Sequence, residues 1–500
     1  MNARAFSGTV PDWLAQRAAS TPGRVAVLGP GTRWSFAELS RRAGAVARHL
    51  RAEDIRPGDR VALLGWNSAA YAAAVHGIAR TGAMLAPLNA RLAPAELARQ
   101  LDDLGAAALV YDAASGALAR ELTRARHELA AVPLEEAVAG EPLPDPPEPV
   151  DLAAVHTIVY TSGTTGRPRG AMLTWGNHLW SAVASALHLG LREDDRWLAC
   201  LPLFHVGGLS LLFKSVLYGM PLVMHESFDP ERANRAIDTE GVTVVSVVAA
   251  MLQRMLDARG KRPYPRTLRC VLLGGGPAPL PLLEACARLR VPVAQTYGLT
   301  EAASQVATLP PGEAPGRLGS SGRPLMGTEL RVIADDGTEA APGKPGTILV
   351  RGPTVMVGYW NQPEATAAAI RDGWLHTGDL GYLDAAGYLY VLDRREDLII
   401  SGGENVYPAE VEAVLMAHPA VSEAAVVGVP DSRWGQAVAA AVVLKPGARA
   451  DEEEVRAFCR SRLAGYKTPS SIRFVHALPR TAAGKVQRGV LRRRWIEGAL

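Results

Sequence analysis

Val155-His156-Thr157-Ile158-Val159-Tyr160 runs without interruption into Thr161-Ser162-Gly163-Thr164-Thr165-Gly166-Arg167-Pro168-Arg169-Gly170. The first six residues have the pattern of a buried strand, short, apolar and partly β-branched. The ten that follow hold three glycines, four hydroxyls and two arginines. Glycines let backbone N–H groups turn toward one point, hydroxyls add donors and arginines add charge, so the composition is that of a loop that grips phosphate. A plain polar turn has the same composition. A Walker A loop does not fit here, and Gly484-Lys485 is followed by Val486 rather than Ser or Thr, which argues against a P-loop NTPase fold.

Working outward, strands and helices alternate on both sides of this loop. Ser35 and Glu38 read as a capping box ahead of an amphipathic helix to Leu50, followed by a strand at Val61–Leu64. Pro94–Leu104 reads as a helix with proline in its first turn, and Leu109–Tyr111 as a strand. Val244–Val248 and Cys270–Leu273 continue the buried-strand pattern. Such alternation predicts an α/β fold of mostly parallel sheets covered by helices. Residues 141–149 carry five prolines and read as an extended surface connection. From Leu330 to Val350 short β segments are punctuated by Asp335-Asp336-Gly337 and Pro342-Gly343, predicting hairpins of a small β subdomain over about 320–393. Beyond it, Glu410–Ala417 and Glu452–Leu463 (helices) alternate with Ala424–Val429 and Ala437–Leu444 (strands), a compact α+β layout. The expected division is a large unit over 1–393 and a small one over 394–500.

Composition bounds the function. Five hundred residues, 48% hydrophobic and 21% charged, are ample for large cores and exclude wholesale disorder. A formal charge of +3 is too small to argue for nucleic acid or a membrane surface, so the expected partner is a small molecule. Val242–Leu252 is too short to span a bilayer and reads as a core strand plus a helix start. The N-terminal stretch shows no secretory h-region, which makes the cytoplasm the expected location. Cys200, Cys270, Cys286 and Cys459 are scattered without metal-like spacing and read as buried thiols. The oligomeric state is left open, a homo-oligomer included.

Several segments together resemble the adenylate-forming superfamily of acyl-CoA synthetases, peptide-synthetase adenylation domains and luciferases. They are YTSGTTGRPRG (160–170), Tyr297-Gly298-Leu299-Thr300-Glu301, Gly373-Trp374-Leu375-His376-Thr377-Gly378-Asp379, Asp393-Arg394 with SGGENVYPAEVE (401–412), and Pro479-Arg480-Thr481-Ala482-Ala483-Gly484-Lys485. The resemblance implies a large N-terminal domain and a mobile C-terminal lid. It implies a reaction in which ATP converts a carboxylate to an acyl-adenylate and pyrophosphate, after which a thiol takes the acyl group. Thr161, Ser162, Gly163, Thr164, Thr165, Gly166 and Arg169 would then hold the β- and γ-phosphates, Thr300 would touch phosphate, and Glu301 would bind Mg²⁺. Gly274, Gly275, Gly276 and Pro277 would let the backbone approach adenine closely, Tyr297 would belong to the cofactor site, and Asp379 with Arg394 would serve the ribose. Lys485 would be the catalytic lysine of adenylation, Gly402 and Gly403 would line the thiol channel, and Glu396 would stand at the hinge. Two positions depart from the family: Arg169 replaces the usual Lys, and Glu396 the commoner Asp or Lys.

Coenzyme A is the acceptor this resemblance implies, because only a basic helical tail (Arg488, Arg492, Arg493, Arg494) follows Lys485. For the acid, residues 201–219 (LPLFHVGGLSLLFKSVLYG) and 297–309 (YGLTEAASQVATL) resemble the 2-succinylbenzoate–CoA ligases of menaquinone biosynthesis more than generic fatty-acyl ligases. His205 would gate the acyl pocket, with Lys214, Ser304 and Gln305 contacting the acid. A lysine inside LSLLFKSVL is costly if buried without an anion; a dicarboxylate supplies one, whereas a lysine that snorkels out needs none. Another aryl or medium-chain acid remains open, as does a non-catalytic nucleotide or acyl sensor.

Overall fold

The computed structural model describes residues 8–161, 168–276, 278, 280–334, 336–394, 399–406, 408–479, 486 and 488–499. By contacts the chain divides into two units, one containing Leu101–Tyr160 and Gly170–Leu392 with the residues up to Ala90, the other Arg91–Gln100, Thr161–Arg169 and the residues from Asp393.

The first unit is built on two large sheets. In the seven-stranded sheet, strands Met84–Leu88, Arg60–Leu64, Ala108–Tyr111 and Ala130–Pro133 lie parallel beside Val155–Thr161; Arg169–Thr174 and Gly358–Tyr359 close one edge. In the nine-stranded sheet a parallel block, Val293–Leu299, Cys270–Leu273, Val244–Val247, Trp197–Ala199, Leu222–Met224 and Val25–Gly29, is bordered by antiparallel strands. The central strands Trp197–Ala199, Leu222–Met224, Val244–Val247 and Cys270–Leu273 are buried on both faces, as parallel pairing behind helices requires. The expected α/β class is therefore found, with parallel strands divided between two sheets. The N-terminal strands Val25–Gly29 and Thr32–Ser35 join the second sheet, far along the chain.

Local rules explain most boundaries. Pro94–Leu104 is a helix with proline at its first position. Ser35 caps its helix by accepting from the Glu38 amide, but Glu38 turns to Arg41 and Arg42, so only half of the expected capping box forms. A reciprocal box does form at Thr174 and Asn177. Glu329–Ile333 and Gly346–Arg351 pair as the expected antiparallel strands of a five-stranded sheet that also includes Trp374–Leu383.

In the second unit, Val421–Asp431 and Gly435–Leu444 form a long antiparallel pair whose side chains alternate between two cores. Val426, Ala440 and Val442 pack with Val411, Leu415 and Val455 on one face; Val427, Ala439 and Ala441 pack with Leu491 and Trp495 on the other. The helix expected to reach Leu463 ends at Arg460. All four cysteines are buried and free. Among the described residues no helix is long and apolar enough to cross a membrane.

Candidate active site

A parallel sheet leaves the loops after its strands at one end, and ligands of such sheets bind there. The strands Trp197–Ala199, Cys270–Leu273 and Val293–Leu299 lead into the segments that carry His205, Gly274–Gly276 and Thr300–Gln305. Thr161 ends Val155–Thr161 of the other sheet.

The tightest geometry surrounds Thr300–Gln305. Thr300–Ala302 is a single 3-10 turn, and Ala303 and Ser304 follow with φ of 50° and 101°. Positive φ in residues that carry a Cβ costs about 1–3 kcal/mol each and persists only where the surroundings impose it. Here the Ala303 carbonyl accepts from Ser181 Oγ at 2.6 Å. Gly298 sits so close to Ser304 that a Cβ there would lie 1.7 Å from the Ser304 carbonyl oxygen. The pairing shifts register at Tyr297/Gly298, which lets the chain bend around Thr300 and Glu301.

Two carboxylates flank this bend. Asp379, on Trp374–Leu383, is 3% exposed and accepts from the Tyr297 hydroxyl at 2.6 Å. Glu301 accepts from the Tyr359 hydroxyl at 3.0 Å through Oε1 and has no cationic partner among the described residues. A carboxylate with a free oxygen and no counter-ion suits a hard divalent ion. No cluster of three or more His, Cys, Asp or Glu ligands exists among the described residues, so such an ion would take its other ligands from water and phosphate, as Mg²⁺ does. Gly274 lies where a Cβ would meet Thr296 Cγ2 at 2.7 Å, and Gly275 has φ 80°.

Lys214 lies on the helix Val206–Tyr218 and is 2% exposed. It does not snorkel to the surface. Its Nζ donates to Gln305 Oε1 at 2.9 Å and stands 5.4 Å from the Trp197 ring centroid. Gln305 Nε2 donates to Thr308 Oγ1 at 3.0 Å, which in turn bonds Thr296 Oγ1 at 2.8 Å. The ammonium therefore has one neutral acceptor, one ring face and no carboxylate among the described residues. Burial pulls its pKa down to about 7. His205 is half-buried at the N-cap of the same helix, its ring against Phe204 at 4.8 Å.

In the second unit Gly402 and Gly403, with φ of 59° and 84°, form the two-residue turn between Ile399–Ser401 and Glu404–Val406. A Cβ on Gly402 would meet Trp434 Cε3 at 2.6 Å. Arg394 ends the strand Leu389–Arg394. The Arg169 carbonyl accepts from Thr161 Oγ1 at 3.3 Å. Ser162, Gly163, Thr164, Thr165, Gly166, Pro277, Glu396 and Lys485 lie outside the described residues.

The structure thus brings together Tyr297 with Asp379 and Lys214 with Gln305. Three contributors escape sequence reading. Tyr359 belongs to a Gly-Tyr-Trp run with no chemical signature, and Trp197 and Thr308 look like ordinary strand residues. Asn67 is a fourth case: its side chain donates to the Leu201 and His225 carbonyls and accepts from the Leu203 amide, pinning the loop before His205. Nothing local marks that role.

Residues 14–360 match the AMP-binding enzyme family and residues 410–485 the AMP-binding enzyme C-terminal domain. The chain is 53% identical to a 2-succinylbenzoate–CoA ligase of Geobacillus kaustophilus, covering 97% of this chain and 98% of that one. It is similar to a double mutant of o-succinylbenzoate CoA synthetase of Bacillus subtilis bound with its product analogue, OSB-NCoA, with a TM-score of 0.92 and 44% identity over 97% and 98% of the two chains. Against the same synthetase in complex with ATP and magnesium ion the TM-score is 0.75, at 43% identity over 96% and 99%. With the family model matching residues 14–360 and a relative 53% identical over 97% of the chain, the chain belongs to the AMP-binding enzyme family.

Proposed function

We propose that this protein is an AMP-forming acid–CoA ligase acting in the cytoplasm on 2-succinylbenzoate, with ATP, Mg²⁺ and coenzyme A. A carboxylate resists attack by a thiol because its oxygen is a poor leaving group. Attack of one carboxylate oxygen on the α-phosphorus of ATP forms acyl-adenylate and expels pyrophosphate. The coenzyme A thiol then forms the thioester, and AMP leaves.

The chain's residues divide this work. Asp379, held by Tyr297, accepts from the ribose hydroxyls. Thr300 and the Thr161–Gly170 loop contact phosphate, and Gly274–Gly276 allow close approach of the adenine. Glu301 would hold Mg²⁺, which when bound draws negative charge from the phosphates. Lys485 serves adenylation, and Gly402 with Gly403 the thiol step, each carried over from the family resemblance. Lys214 pairs with the second carboxylate of the acid, oriented by Gln305; His205 and Ser304 complete the acid's surroundings.

The observation that carries the substrate reading is the buried Lys214 ammonium, which has no counter-charge among the described residues. A dicarboxylic acid supplies the missing anion, and a monocarboxylic acid does not. Acid-dependent pyrophosphate release across a panel of aryl and medium-chain acids tests the proposal. The expected result is release that is fastest with 2-succinylbenzoate. No acid-dependent release with any member of the panel would leave a nucleotide or acyl sensor; a monocarboxylate favoured tenfold in kcat/KM would replace the substrate.

A further inference from the structure

The segment Met356–Trp360 grips two parts of the site at once. Toward Glu301, the Met356 amide donates to the Glu301 carbonyl at 2.8 Å and the Tyr359 hydroxyl to its carboxylate at 3.0 Å. Toward the strand that leaves the phosphate loop, the Val357 amide donates to the Met172 carbonyl at 3.1 Å and the Trp360 amide to the Gly170 carbonyl at 2.8 Å, with Tyr359 opposite Ala171. The tyrosine itself is fixed: it is 7% exposed, and its amide donates to Thr366 Oγ1 at 2.8 Å. Gly358, at φ 153°, lets Thr366 approach, since a Cβ there would lie 2.7 Å from Thr366 Cγ2.

A glutamate side chain has three rotatable bonds, and an unpaired carboxylate at a half-buried turn would sample several orientations. Here one oxygen is occupied by a hydroxyl that is anchored to the same strand as the phosphate-gripping loop. We infer that Tyr359 is a positioning residue for the metal-binding carboxylate: by engaging Oε1 it leaves Oε2 as the free ligand and keeps Glu301 in register with the strand that follows the phosphate loop. This rests on the reading of Glu301 as the Mg²⁺ ligand. The hydroxyl also disperses some carboxylate charge, so its gain lies in orientation rather than raw attraction.

The test compares Tyr359→Phe and Glu301→Gln with the unaltered full chain. Mn²⁺ binding in the presence of a non-hydrolysable ATP analogue is followed by electron paramagnetic resonance, and the Mg²⁺ dependence of pyrophosphate release is measured alongside. Tyr359→Phe keeps the ring and its packing and removes only the hydroxyl. Its expected effect is about tenfold weaker Mn²⁺ binding and a similar rise in the Mg²⁺ concentration giving half-maximal rate, with a much smaller loss of rate at saturating Mg²⁺. Glu301→Gln should weaken Mn²⁺ binding more. If Glu301→Gln weakens binding and Tyr359→Phe leaves it unchanged, the positioning role is overturned while the Glu301 reading stands. If neither variant changes Mn²⁺ binding, the Glu301 reading itself falls, and the inference with it.

Discussion

Two lysines are almost equally buried and meet opposite surroundings. Lys467, 4% exposed, donates to Glu96 at 2.9 Å and to Glu410 at 2.8 Å. Burial alone would lower its pKa, but the two carboxylates outweigh it and raise the value. Lys214, 2% exposed, meets the amide oxygen of Gln305 and the Trp197 ring but no carboxylate among the described residues, and burial lowers its pKa to about 7. A buried charge whose counter-ions belong to the fold is structural; one whose counter-ion is missing is poised for a ligand that brings it. The difference separates a lysine that supports stability from one that reduces it for the sake of specificity.

The contrast extends to imidazoles, where the largest effect is expected. His76, His156 and His178 are buried around Phe213, with His156 stacked on Trp175 at 3.9 Å. Among the described residues, His156 Nδ1 and Nε2 and His178 Nδ1 have no hydrogen-bond partner. Burial lowers His76 to about 4 and His178 to about 3, and pulls His156 well below its usual value, His178 and His76 adding to the last. Asp12 raises and Arg80 lowers His76. Because the folded values lie below the unfolded ones, stability is present above about pH 6.5 and is lost as pH falls below it. With three groups taking up protons on unfolding, the loss should reach about 4 kcal/mol per pH unit near pH 5 and ease toward pH 4, where folded His76 itself begins to protonate. Urea unfolding across that range checks the slope; a flat profile would mean that solvent reaches these rings.

Next in size is Lys467→Met, which strands two buried carboxylates and should cost about 3–5 kcal/mol. Lys214→Met should leave stability unchanged or higher, because it removes a buried amine that meets a neutral acceptor and no counter-charge among the described residues. Chemical denaturation of both variants at pH 7 checks the pair of outcomes, and similar losses in both would erase the distinction. A smaller effect follows from titration. If only the ammonium form of Lys214 captures the acid, kcat/KM for adenylation should fall about tenfold per pH unit above about pH 7. Gln305→Glu should blunt that decline, since a built-in carboxylate raises the Lys214 pKa, while lowering kcat/KM for a dicarboxylate by competing for the amine.

The outlines of this arrangement were legible in the sequence where a signal is local. Pro94 at a helix start and the short strand before Thr161 are each set by neighbouring residues. The acid side was legible only as a question, because an isolated Lys214 within an apolar helix fits burial and snorkelling equally. Gln305, Thr308 and Trp197 decide it, and they reach Lys214 through tertiary packing from other strands. Tyr359 shows the same limit: a tyrosine next to glycine acquires meaning only when another strand places Glu301 against its hydroxyl.

The central claim is that Lys214 awaits the second carboxylate of the substrate. The most direct measurement compares adenylation kcat/KM for 2-succinylbenzoate with that for an isosteric analogue whose second carboxylate is a neutral amide, in the unaltered chain and in Lys214→Met. The account predicts that the unaltered chain prefers the dicarboxylate by about a hundredfold, roughly 2.7 kcal/mol, and that Lys214→Met loses this preference while handling the amide nearly as well as before. A preference that survives the substitution undiminished would contradict it and place the recognition of the second carboxylate elsewhere.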